Sequence, residues 1–146
     1  MNRFFIVCAI AAQCWVGSAV AADALQTKQA ANSVKVETLM KTAQSWDGVN
    51  YRAYPSGQPE LSILKIIIPP KTTLPWHTHP MPNAAYVVRG HLTVETKSGQ
   101  TLSLHQGETL PETVDTVHRG TSGPETVELI VFYAGVEGQP LNGPGH

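Results

Sequence analysis

The clearest pattern in the chain is the run Leu61-Ser62-Ile63-Leu64-Lys65-Ile66-Ile67-Ile68, apolar, rich in β-branched residues and closed by Pro69-Pro70. Branched side chains suit a pleated surface and Pro cannot continue a ladder, so the run predicts a strand. Shorter runs predict strands at Trp76–His79, Ala84–Arg89, Leu92–Thr96, Thr101–His105 and Thr126–Tyr133. Glycine pairs mark turns between them at Arg89-Gly90, Ser98-Gly99, Gln106-Gly107 and Ser122-Gly123. Upstream, Val34 to Lys41 reads as a first strand passing into a short helical turn. Ser45-Trp46-Asp47-Gly48 reads as a turn with an aromatic anchor, and Pro55-Ser56-Gly57 as another turn. Many short strands, glycine turns and no amphipathic helix predict an all-β sandwich or closed barrel. Both faces of Ala84–Arg89 are apolar, so one face belongs in the barrel and the other under a second sheet or a second copy.

The two ends read differently. Arg3 gives a short positive start, Phe4 to Val16 is mostly apolar but too short to span a bilayer, and Ala19-Val20-Ala21 is a small-x-small cleavage site. Residues 1–22 are therefore expected to be a secretory signal peptide, leaving an exported protein, periplasmic or secreted, with no stable membrane anchor. Residues 23–33 read as a flexible segment, 34–137 as one β-barrel domain, and 138–146 as a flexible Gly/Pro-rich tail.

Composition narrows the chemistry. The formal net charge is −1, and loss of Arg3 with the leader leaves 9 basic against 11 acidic residues. That balance offers no basic surface for nucleic acid. Both cysteines, Cys8 and Cys14, fall in the expected leader, and Val7 and Gln13 before them do not suit lipidation. The mature chain has no thiolate or disulfide, so any transition-metal site must use His and oxygen ligands. There is no phosphate-binding glycine loop and no Gly-x-Ser-x-Gly elbow.

The strongest local signal is Pro75-Trp76-His77-Thr78-His79-Pro80. Alternate residues on a strand share a face, so His77 and His79 point the same way. Two imidazoles on one face are half of a metal site, and His118, on the strand-like Thr116-Val117-His118, is the candidate third ligand. Glu112 lies six residues before His118, an even spacing that would share a strand face in the absence of a bulge. It is a candidate ligand or general base, or else a solvated loop carboxylate. Asn83 either hydrogen-bonds a bound ligand or water or is a turn residue after Pro82. Asp115 reads as a turn residue. His91, next to Gly90, and His105 both read as exposed, and Trp76 as core packing.

These residues resemble the cupin family. Its first motif is Gly-x5-His-x-His-x3–4-Glu-x6-Gly, which His77, His79 and Gly90 fit at the family spacing. Its second, Gly-x5-Pro-x-Gly-x2-His, is fitted loosely by Gly107, Pro111 and His118. The likeness runs from about Leu61 to Tyr133. Lys71 stands at the first motif's leading Gly, Asn83 replaces its Glu, and the second motif lacks its inner Gly. The resemblance implies a single jelly-roll (cupin) β-barrel, a homodimer, and a divalent metal (Fe, Mn, Ni or Zn) in the barrel mouth. It carries His77, His79 and His118 over as ligands, and leaves the fourth position to Asn83, Glu112 or water. Three neutral imidazoles leave the ion about two positive charges, which favours an anionic or chelating small molecule. Two functions follow: a metal-dependent enzyme such as a dioxygenase, with Glu112 and Asn83 as catalytic groups, or a binding module without turnover. A structural role with a vestigial site is the third.

Overall fold

The computed structural model describes residues 33–145. The chain divides into two units, Met1–Glu37 and Thr38–His146. The expected leader and nearly all of the segment after it lie outside the described residues. Residues 33–37 are exposed and form no strand. The strand expected from Val34 to Lys41 does not form: Val34 and Val36 are 89% exposed, and apolar alternation makes no strand without a ladder partner.

In the second unit nine strands follow in order. They are β1 (Pro59–Ile68), β2 (His77–Thr78), β3 (Asn83–Arg89), β4 (His91–Thr96), β5 (Thr101–His105), β6 (Thr109–Pro111), β7 (His118–Ser122), β8 (Val127–Val136) and β9 (Gly143–Pro144). Two sheets result, in the orders β1-β8-β3-β6 and β5-β4-β7-β2-β9. Ladders β1·β8, β2·β7, β3·β6 and β4·β5 are all antiparallel. The second unit is thus one long hairpin, turned at β4–β5 and rolled into two facing sheets, which is the jelly roll.

From Leu61 onward every predicted strand has a counterpart, and three are additional. β6 is three residues long, β9 is two, and β7 carries Gly120 where a branched residue would have signalled a strand. In β1 alternate residues are exposed: Leu61 is 69% and Ile63 70% exposed, while Ile68 at the strand end is buried. Inward residues of β3, β4 and β8, among them Val87, Leu92, Val94, Leu129 and Val131, form the core between the sheets. Gly90 makes the β3–β4 turn at φ +88, and a Cβ there would lie 2.5 Å from the Thr126 carbonyl oxygen. Only glycine satisfies both demands.

The tail read as flexible is instead bound up to Gly145. β9 adds to β2, with Thr78 opposite Gly143 and His77 opposite Pro144. Lys97 Nζ donates to the Gly145 carbonyl at 2.8 Å. Strand addition satisfies backbone groups whatever the sequence, which is why a Gly/Pro-rich stretch gave no strand signal.

Candidate metal centre

His77 opens β2 and stands directly opposite His118, the first residue of β7. His79 follows two residues after His77. Ring centroids are 5.0 Å apart for His77–His79, 4.5 Å for His77–His118 and 5.1 Å for His79–His118. One ligand atom from each lies within 4.8 Å of the others. His79 and His118 are buried and His77 half-buried.

The ring orientations follow from backbone carbonyls. His77 Nδ1 lies 2.9 Å from the Pro75 carbonyl, His79 Nδ1 2.9 Å from the Leu141 carbonyl, and His118 Nδ1 2.9 Å from the Thr116 carbonyl. The Thr113 hydroxyl also sits 2.9 Å from His118 Nδ1. A carbonyl only accepts, so each Nδ1 carries the hydrogen and donates it. Each Nε2 then holds the lone pair when the ring is neutral. Such outer contacts fix the tautomer and raise ligand basicity.

Glu112 meets His118, though not by sharing a strand. It lies just past β6, and a loop containing Asp115 at φ +60 returns the chain to His118. Glu112 Oε2 is 3.3 Å from His118 Nε2. Both atoms are buried without a hydrogen-bond partner among the described residues. Two orphaned polar atoms facing each other beside two more imidazoles fit a cation between them. Nitrogens held by one ion at about 2.1 Å are at most about 4.2 Å apart, so modest ring rotations would close the site.

Protonation favours coordination at two of the rings. Burial lowers the pKa of His77 and of His79 below the ordinary 6.5. Burial also lowers that of His118, but the Glu112 carboxylate more than offsets it, and the net shift is upward. Tyr133 is pushed up to about 12 by burial and by Glu112, which keeps its hydroxyl a donor.

Asn83 lies between these groups in register. It pairs with Tyr133 of β8, and its carbonyl accepts from the Glu112 N–H at 3.1 Å. The position where the family carries its acid is therefore the cross-strand neighbour of Glu112. The Asn83 amide donates to the Met81 carbonyl at 3.3 Å, and Oδ1 is buried without a partner. Asn83 borders a separate cavity with Tyr51, Tyr54 and Phe132, not the histidine cavity.

The histidine cavity has a volume of about 360 Å³. His77, His79, His118, Glu112, Tyr133 and Asn142 form its polar end, and side chains of both sheets form apolar walls. Tyr133, Asn142 and the Leu141 carbonyl carried no signal in the sequence, because their roles arise from register and from the docked tail. Trp76 packs on the outside, with the Arg119 guanidinium 4.2 Å from its ring centre, rather than in the core. His105 is exposed as expected, whereas His91 is half-buried and stacks on it at 4.4 Å.

Comparisons with known proteins agree with the fold. Residues 64–133 match the family model described as Cupin domain. A DMSP lyase structure aligns with TM-score 0.52 and 19% identity over 59% of this chain and 44% of that one. A DMSP lyase from Ruegeria pomeroyi aligns at 0.50 and 15% over 55% and 41%. A cupin-like protein from Thermotoga maritima aligns at 0.50 and 17% over 58% and 65%. The chain thus spans less than half the length of either lyase. No curated protein matches the sequence significantly. Residues 64–133 thus match a cupin domain, the fold is shared with a cupin-like structure, and the three histidines form a site that could hold a metal ion.

Proposed function

We propose that this chain is an exported cupin that uses a divalent metal, held by His77, His79 and His118, to bind and transform a small chelating organic molecule. The observation that carries the reading is the convergence of three imidazoles whose Nδ1–H groups are all held by backbone carbonyls. A surface or core histidine cluster has no need of three such restraints. When bound, the metal would supply Lewis-acid polarisation of a coordinated oxygen. Glu112, buried beside His118, is placed to take a proton from a molecule bound there or to complete the ligand set. The Tyr133 hydroxyl, protonated at neutral pH, is placed to donate to the same molecule. The apolar walls favour a second reading, capture of a small organic ligand without turnover. Export rests on the leader pattern of residues 1–22.

Substitution with cobalt(II) tests the site. Wild-type protein should take up one equivalent and show visible ligand-field bands that His77→Ala abolishes. Retention of those bands in His77→Ala would refute the assignment.

Self-association is part of the same reading. β1 is an edge strand that presents Leu61, Ile63 and Ile67 outward. An edge of this kind can pair with its own copy about a two-fold axis. Light scattering should give a dimer, and Ile63→Lys a monomer.

A further inference from the structure

We infer that the site takes a monoanionic chelator with an apolar body, rather than a small dianion. The inference rests on the metal reading above and concerns what else must fill the cavity.

The first argument is charge. A divalent ion with three neutral imidazoles and the Glu112 carboxylate leaves one positive charge. A monoanionic donor neutralises it. Among the described residues, the cavity lining contains no Lys or Arg. A second negative charge on the ligand would therefore be buried without a counter-charge, which is strongly unfavourable.

The second argument is the division of the cavity. The polar side chains of the lining are the three clustered histidines, Glu112 beside His118, Tyr133 with its ring centre 5.6 Å from that of His79, and Asn142. The remaining wall includes Leu64 and Ile66 of β1, Leu74, Leu92 and Val94 of β4, and Leu129 of β8. Leu64, Ile66 and Leu74 are only partly buried, so apolar surface is left facing the cavity. A ligand of a few polar atoms would fill the polar end and leave that surface wet. An alkyl or aromatic body would cover it, and each buried methylene strengthens binding roughly threefold to fourfold. At about 360 Å³ the space suits a small ligand.

Straight-chain hydroxamates are suitable probes, since all share one monoanionic bidentate head. Binding of acetohydroxamate, hexanohydroxamate and oxalate to the metal-loaded full chain would be measured by calorimetry. Hexanohydroxamate should bind at least tenfold tighter than acetohydroxamate, and tighter than oxalate. Ile66→Ser should remove most of the chain-length gain, read as the ratio of the hexanohydroxamate and acetohydroxamate affinities on metal-loaded protein. Equal affinity for the two hydroxamates, or oxalate binding tightest, on protein that retains its metal would overturn this inference and leave the metal reading intact. Failure to load metal at all would overturn both. If Ile66→Ser fails to fold, Leu64→Ser provides the same comparison on the neighbouring inward position of β1.

Discussion

The Nδ1–H of His79 donates to the carbonyl of Leu141 at 2.9 Å, so a residue of the C-terminal tail fixes the orientation of a central histidine of the site. The tail is held there by its ladder to β2. A Cβ on Gly143 would lie 2.6 Å from Thr78 Oγ1, so a larger residue there would force the Thr78 side chain to move. A chain ending at Gly138 should fold, because the two sheets retain strands β1 to β8. Its metal affinity should fall about 10- to 100-fold, the usual effect of losing an outer-shell partner. Competition with a chromogenic chelator measures this. An unchanged affinity in the shortened chain would mean that the tail only covers the site.

Glu112 sets the pH dependence of metal uptake. Without metal, His118 keeps its proton above the ordinary 6.5, because the carboxylate outweighs burial. The stabilisation from that pair is full below about 6.5 and is lost as pH rises through the raised value. Metal must displace the same proton, so affinity should climb with pH above 6.5 and then level off. In Glu112→Gln only burial remains as the dominant influence, and the levelling point should move to lower pH. Titrations between about pH 5.5 and 8 decide this, and superimposable profiles for the two proteins would count against the pairing.

The register of Asn83 and Glu112 makes a further prediction. Each is the other's cross-strand neighbour, so a carboxylate can be moved one strand over without changing the row it occupies. Asn83→Glu alone puts two carboxylates side by side and should cost about 1–3 kcal/mol in the metal-free protein. The double variant Asn83→Glu/Glu112→Gln should recover most of that loss and bind metal close to stoichiometrically. Thermal unfolding with metal analysis checks both. A folded double variant that binds no metal would show that the carboxylate must sit at residue 112.

The all-β class was legible in the sequence because its signals are local, whereas the jelly roll itself came from the resemblance to cupins. β-branched runs, Pro69-Pro70 and the glycine turns each act within a few residues, and the histidine pair shares a face by strand period alone. His118 was legible as the distant third member. The meeting of Glu112 and His118 was expected from an even spacing, yet the structure achieves it through a loop bent at Asp115. The docked tail, the Leu141 carbonyl and the row Tyr133–Asn83–Glu112 depend on which strands become neighbours, and no short-range pattern encodes that. The failed strand at Val34–Lys41 is the converse case, since its alternation was present but its ladder partner was not.

The central claim is that His77, His79 and His118 together hold one metal ion. Elemental analysis of the untagged protein purified without chelator, beside His118→Ala, tests it most directly. The account predicts close to one equivalent of iron, manganese, nickel or zinc in the wild type and almost none in the folded variant. Equal metal content in the two proteins, or none in the wild type even after reconstitution, would contradict it.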